Sequence, residues 1–416
     1  MKRFNTWLQH SGQILILTSL IISGCSSIDS NAHKRIEKSL TNQGDIVVGL
    51  VWPSEIRKGY FVQGAQLAVE EINETGLLGR KIRLVIRDDG NNKKKARNIA
   101  LEFSKNTDMI AVVGHNASGV TLPVSVIYNY SGLLFINTAS TNSTLTRHNL
   151  DMFFRIIPDN QEFAKKVVEY TYLMGYRKPV IVYVRGYYGK DLSNMYQTYL
   201  GRLEVPIVHI FSYFSGSDDW REIFRDFKNL DYDIVFLAGS VPEAAHFINQ
   251  ARAWGITTPF IGSDGFDTNL LLNIGKASVE GSMYCGVFNP ENPRAITQFF
   301  VEKFKRKYNR SPDTEAAQAF DALKLLAFII HKSQSVNPEV LASNLIFVEK
   351  WEGVTGYHTF TRNGDVVDKT IYFKKIEKQK QCIVDIDENK ITEVEKIIGG
   401  YHEAAKESAE KTIGSD

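Results

Sequence analysis

The sequence predicts an α/β protein of two doubly wound lobes, each a parallel sheet covered by helices on both faces. Three observations carry this. Strand-length apolar runs alternate with helix-period stretches in two long series. Gly, Asn and Asp mark the turns between them. The 416 residues also exceed what one hydrophobic core accommodates, so two lobes are expected. A hydrophobic content of 43% and a net charge of +2 suit a globular body and offer no electrostatic footprint for nucleic acid, so the expected partner is small.

The first residues are set apart before any fold argument. Lys2 and Arg3 precede a short apolar stretch, Ile14–Leu17 and Leu20–Ile22, that ends at Ser23, Gly24 and Cys25. It is too short to span a bilayer and reads as an export signal. Ile22-Ser23-Gly24-Cys25 resembles a bacterial lipobox, which implies cleavage before Cys25 and a lipid on its sulfur. The expected divisions are a signal peptide over 1–24, a polar tether over 25–44, a first lobe over 45–156 plus 289–347, a second over 157–288 plus 348–375, and a charged tail over 376–416.

In the first lobe Asp45–Trp52 reads as a buried strand. Phe61, Ala65, Ala68, Val69 and Ile72 then recur at helical spacing, and Gly76 stops the helix. Lys81–Arg87 is a second strand, Ala96–Lys105 a helix and Ile110–Val113 a third strand. Pro123 belongs in a helix's first turn, so the next helix is expected to begin near Thr121, leaving Gly114–Val120 as a loop. Leu133–Ile136 is a fourth strand and Phe153–Pro158 a crossing segment. The second series runs helix 161–174, strand 180–184, helix 191–203, strand 205–211, helix 220–230, strand 233–238, helix 241–254, strand 259–261 and strand 281–288. Asn289-Pro290 and Asn292-Pro293 mark a further crossing. Helices over 294–308 and 314–332 are expected to pack the core, and Asn363-Gly364 to turn a hairpin of Val354–Phe360 with Val367–Phe373. Beyond Lys374 a solvated appendage is expected, although Ile391, Val394, Ile397 and Ile398 have amphipathic spacing.

The chemistry lies in the loops. Amides at the start of the helix after Gly114–Val120 lack intrahelical partners and carry the positive end of its dipole, a place for a small anion, with Ser118 and Thr121 adding hydroxyls. An ordinary βα connection capped by Thr121 is the alternative. Asn137–Asn142, containing Ala139, Ser140 and Thr141, is a second polar loop on the same sheet edge, where open α/β sheets bind ligands. In the second lobe Tyr187-Tyr188-Gly189, Gly239-Ser240 and Gly262-Ser263-Asp264-Gly265 follow strands. Asp264 faces a cationic group or closes an Asx turn. With anion-seeking loops opposite, the first choice suits a zwitterion. Enzyme readings fail: Val120 stands where a phosphate-binding loop needs lysine, and neither Gly-x-Gly-x-x-Gly after the first strand nor Gly-x-Ser-x-Gly occurs. His115 reads as a structural histidine. No metal-ligand spacing is present, so neither metal nor cofactor is expected. Cys285 and Cys382 either pair or stay free, Cys285 as a core hydrophobe.

From Asp45 to Phe373 the chain resembles the branched-chain amino-acid binding proteins of ABC importers, the type I periplasmic binding proteins. The matching pieces are Phe61–Ala65 through Val69–Asn73, Asp88-Asp89, Gly114-His115 with Ser118 and Thr121, Ala139 with Thr141 and Asn142, Tyr188-Gly189, Pro242-Glu243 and Gly262–Gly265. The resemblance implies two Rossmann-like lobes joined by a multi-strand hinge. It also implies that Ser118 and Thr141, with loop amides including that of Ser140, hold a ligand carboxylate. The Ala139 carbonyl and Asp264 receive its ammonium, Tyr188 closes over it, and Trp52 supplies an aromatic contact. Some relatives have a tyrosine at the position of Ser240, so that pocket is larger or wetter here. Some also carry a disulfide between the positions of Asn91 and Ala117, absent here at both ends. The implied protein is a monomeric, lipid-anchored, extracytoplasmic carrier of a small amino acid to an ABC permease. A ligand sensor, or a structural envelope lipoprotein without a ligand, are the alternatives.

Overall fold

The computed structural model describes residues 31–57, 59–387 and 389–399. The expected signal peptide and Cys25 lie outside the described residues, as does the tail beyond 399.

The first sheet has strand order β2-β1-β3-β4-β5 and is parallel throughout: β1 (Ile46–Val51), β2 (Ile82–Arg87), β3 (Met109–Gly114), β4 (Leu134–Asn137) and β5 (Phe153–Arg155). Alternation along β1 divides its two faces. Ile46, Val48 and Leu50 pack with helices Phe61–Thr75 and Thr314–Ser333, while Val47 and Val51 pack with helices Lys93–Lys105 and Ser118–Tyr130. Phe61–Thr75 and Thr314–Ser333 approach closely because Gly64 lies on the backbone of Ala316, where any Cβ would overlap.

The second sheet joins β6 (Pro179–Arg185), β7 (His209–Phe214), β8 (Ile234–Ala238), β9 (Phe260–Ile261) and β10 (Met283–Gly286), parallel in the order β7-β6-β8-β9-β10. Ile181, Ile234 and Phe236 face helices Asn160–Leu173 and Tyr187–Arg202; Val180, Val182, Val235 and Leu237 face Arg221–Phe227 and Glu243–Ala253. A small antiparallel sheet, β11 (Trp351–Gly353), β12 (Gly356–Phe360) and β13 (Val366–Val367), sits beside the first. An antiparallel pair, β14 (Tyr372–Glu377) and β15 (Lys380–Ile383), extends the second sheet beyond β10.

Several expectations are corrected. The helix after β3 starts at Ser118, not Thr121, and holds Pro123 inside, where the missing N–H removes only the bond to the Gly119 carbonyl. Thr121 is therefore no cap; its hydroxyl meets Ser140 Oγ at 2.6 Å. Residues 31–41, expected as loose tether, form a helix pinned to the first lobe by Arg35, which is 1% exposed. Its guanidinium bonds the carbonyls of Met109, Ser104, Asn106 and Ser131, closing off the ends of two helices. The hairpin at Asn363-Gly364 forms, but its second strand ends at Val367, and Phe373 instead pairs with Cys285 in the other sheet. Val348, Val354, Phe360 and Val366 pack in the first lobe's core, so 348–367 joins that lobe rather than the second. Residues 389–399 are helical, and Val394 and Ile398 are buried in the second lobe's core, so this stretch is no solvated appendage. Helix Pro338–Leu345 was readable from Asn337, whose side chain accepts the Glu339 amide, and from Pro338 just inside the start. Cys285 is buried and free, and Cys382 is also free.

Candidate functional site

In both sheets the strand order reverses beside a central strand, at β1/β3 and at β6/β8, and the loops at those carboxyl ends face each other. Between them lies a cavity of about 100 Å³. Trp52, Ser118, Ala139, Tyr188, Ser240 and Asp264 line it, six of the eight binding residues expected from sequence. Ser140 and Thr141 do not.

On the first lobe Gly114, at φ +125°, lets the end of β3 pass close to the Val51 carbonyl, which a Cβ would strike. His115 follows in the left-handed region and is buried, with Nδ1 2.7 Å from Asp89 Oδ2 and Nε2 2.9 Å from Tyr128 Oη. It is thus a structural clamp, as the sequence suggested. The helix then opens at Ser118 with no side-chain cap, leaving the amides of Ala117, Ser118 and Gly119 outside its own bonding. Ser118 Oγ accepts the Asn142 amide at 3.3 Å, so its proton is available to a further acceptor.

Asn137, read from sequence only as the start of the second polar loop, ties the two polar loops together. Its Nδ2 donates to the carbonyls of Gly114 (2.8 Å) and His115 (3.1 Å), and its Oδ1 accepts the Ser140 amide at 2.8 Å. Ser140 Oγ is occupied by Thr121 and by the Asn116 carbonyl at 3.0 Å, which makes it scaffold. Thr141 is fully buried with its hydroxyl unpartnered. Arg155 holds the loop from beneath through the Ser140 and Asn142 carbonyls, at 3.3 and 2.8 Å, while also pairing with Asp365.

On the second lobe Tyr188 Oη donates to Asp264 Oδ1 at 2.9 Å and accepts the Gly265 amide at 3.2 Å. The Asp264 carboxylate is therefore aimed at the cavity through a partner on another strand end. Burial pushes it up to about 6, partly offset by the tyrosine hydrogen bond. Burial, then the Asp264 charge, pushes the Tyr188 phenol well above its ordinary value, so it stays a donor.

Further charged groups line the cavity, none anticipated from sequence. Arg57 Nε and NH2 meet Glu315 Oε1 at 2.9 and 2.7 Å, and NH1 reaches across to the Val241 carbonyl at 2.9 Å. Asp267 takes Lys374 Nζ at 2.6 Å and, from the other lobe, Thr314 Oγ1 at 2.7 Å. Burial raises the Glu315 carboxyl, with Arg57 opposing, and pushes Asp313 up to about 7. Glu315 and Gln318 escaped notice because the helix was read by its apolar stripe. Every residue from Thr314 to Leu323 is buried, so its polar residues face protein or cavity rather than solvent. Polar residues at that spacing in an otherwise apolar helix were the available signal.

Among the described residues, no group of three or more His, Cys, Asp or Glu could hold a metal ion, and no helix is long and apolar enough to cross a membrane.

A family model described as periplasmic binding protein matches residues 58–381. The chain belongs to the periplasmic binding protein family. It is 27% identical over 311 residues to an amino acid binding protein of Pseudomonas aeruginosa, covering 67% of this chain and 82% of that one. Among solved structures, an ABC transporter substrate-binding protein from Desulfitobacterium hafniense in complex with Leu shares 32% identity, with a TM-score of 0.74 over 82% of this chain and all of that one. A branched-chain amino acid transporter substrate binding protein from Streptococcus pneumoniae, in complex with isoleucine, shares 25% identity, with a TM-score of 0.75 over 82% and 99%. The resemblance read from the sequence and its two-lobed α/β fold thus agree with the match. In this periplasmic binding protein the cavity stands at the switch points where open α/β sheets take ligands.

Proposed function

We propose that this periplasmic binding protein is the substrate-binding component of an ABC importer and closes its lobes on a small amino acid of branched-chain size. One observation carries the reading: a single cavity has the uncapped helix start and Ser118 hydroxyl on one wall and the Tyr188–Asp264 pair on the other. The first wall suits a carboxylate, the second an ammonium. Ala139 adds a backbone carbonyl beside the ammonium and Trp52 an aromatic wall, and the Thr141 hydroxyl is buried and unpartnered two residues beyond Ala139. A micromolar ligand corresponds to roughly −8 kcal/mol, within reach of a few charge-assisted hydrogen bonds in a cleft.

Closure is the output. A ligand that touches both walls favours the closed arrangement, which is what a permease must distinguish from the empty protein. The proposal includes export, cleavage before Cys25, a lipid anchor in the cell envelope and a monomer as the working unit. Ligand capture and release involve no covalent step. The relatives bound to Leu and isoleucine support the ligand class. A thermal-shift panel of the common amino acids tests the reading, since a ligand of the native state raises the melting point. Stabilisation by α-amino acids, but not by their deaminated analogues, is expected; no response to any amino acid would contradict it.

A further inference from the structure

Beyond the groups that suit the zwitterion, the first-lobe wall carries Arg57, Glu315 and Gln318, which are 5%, 4% and 3% exposed and all line the cavity. Arg57 and Glu315 neutralise each other. A guanidinium has five N–H donors, and three bonds are accounted for by Glu315 and the Val241 carbonyl, which leaves donors beside the cavity. Gln318 Nε2 is buried with no partner at all. Ser240 adds a hydroxyl from the opposite lobe.

Such a wall is poorly matched to hydrocarbon. Burying a methyl group against an unpartnered amide forfeits that amide's hydration, and nothing replaces it. An ion pair at a cavity is also seldom favoured over apolar residues of the same volume, so stability alone does not explain it. An oxygen on the ligand answers the unused donors. A second carboxylate would not, because it would meet Glu315 and Asp264.

We infer that the ligand's side chain carries a neutral hydrogen-bonding oxygen, a hydroxyl or carboxamide, where a branched-chain amino acid has hydrocarbon, and that Gln318 and Arg57 select for it. This rests on the proposed amino-acid site and deepens it. Asparagine matches leucine in shape and threonine matches valine, so each pair isolates chemistry from size.

The test is calorimetric titration of the mature protein with these four amino acids. The inference predicts that asparagine or threonine binds at least ~10-fold more tightly than its hydrocarbon counterpart, the discrimination expected when a site built for a polar group meets an analogue without it. Gln318→Leu, with an unchanged melting point showing that it folds, is expected to shrink that ratio several-fold. Leucine and valine binding as tightly as their polar counterparts would overturn the inference and leave the amino-acid reading intact. Failure of all four to bind would overturn the inference, failure of every common amino acid would overturn the amino-acid reading as well, and an unchanged ratio in Gln318→Leu would overturn the assignment to that residue.

Discussion

Replacing Asp264 by asparagine keeps the shape and the acceptor for Tyr188 but removes the charge, so it separates two opposed effects. In the empty protein the carboxylate is a burden. Moving its pKa from 3.8 to about 6 costs ~3 kcal/mol at neutral pH. Asp264 is only half-buried at the cavity wall, and water there reduces this to ~2 kcal/mol. Asp264→Asn is therefore expected to raise the melting temperature of the ligand-free protein by several degrees, at roughly 2–4 °C per kcal/mol for a lobe of this size. Binding moves the other way. A hydrogen bond between a carboxylate and an ammonium contributes about 1.5–3 kcal/mol, so affinity for an α-amino acid falls ~10- to 100-fold. Differential scanning calorimetry reads the first effect and isothermal titration the second. A variant that binds as tightly as the parent would remove Asp264 from the ammonium site. One that melts lower would show that the carboxylate is stabilising rather than strained.

The same group sets a pH dependence. Ligand ammonium lowers the Asp264 pKa relative to its empty-state value of about 6, so affinity is full above that value and declines as pH falls through the bound-state pKa. Titrations between pH 7.5 and 4.5 are expected to show Kd rising below about pH 6, and a flat profile would contradict the assignment. Ser118→Ala removes the hydroxyl offered to the ligand carboxylate and is expected to weaken binding roughly 10-fold with little change in melting point. Arg155→Met leaves Asp365 unpaired and frees the carbonyls of Ser140 and Asn142. Denaturant unfolding is expected to show a loss of ~3 kcal/mol, and titration a weaker ligand because the Ala139–Thr141 loop loosens.

Much of this fold was legible because its signals are local. The continuous apolar run of β1 and the βα succession through β10 specify two parallel sheets, and the polar loops at their strand ends specify the cleft. Ser118 and Asp264 were found as loop residues between small neighbours, and Tyr188 through the family resemblance. What escaped depends on contacts distant in sequence. Ser140 was read as binding through its loop amide, yet that amide donates to Asn137 and its hydroxyl is taken by Thr121 and Asn116. Arg57 meets Glu315 across more than half the chain, and nothing near either residue signals the other. The charged stretch after Lys374 was read by composition, whereas β14 is held by backbone pairing to β10, and β15 to β14, which composition does not record. Arg35 looked like one more polar residue until four carbonyls converged on it.

The claim that one cavity seats both ends of a zwitterion is tested most directly by titrating the mature protein with the tightest-binding α-amino acid, its deaminated analogue and its carboxamide at pH 7.5. The account predicts that losing either charge weakens binding by at least ~10-fold, with Asp264→Asn abolishing most of the penalty for losing the ammonium and leaving the penalty for losing the carboxylate. A deaminated analogue that binds the parent protein as tightly as the amino acid itself would contradict it.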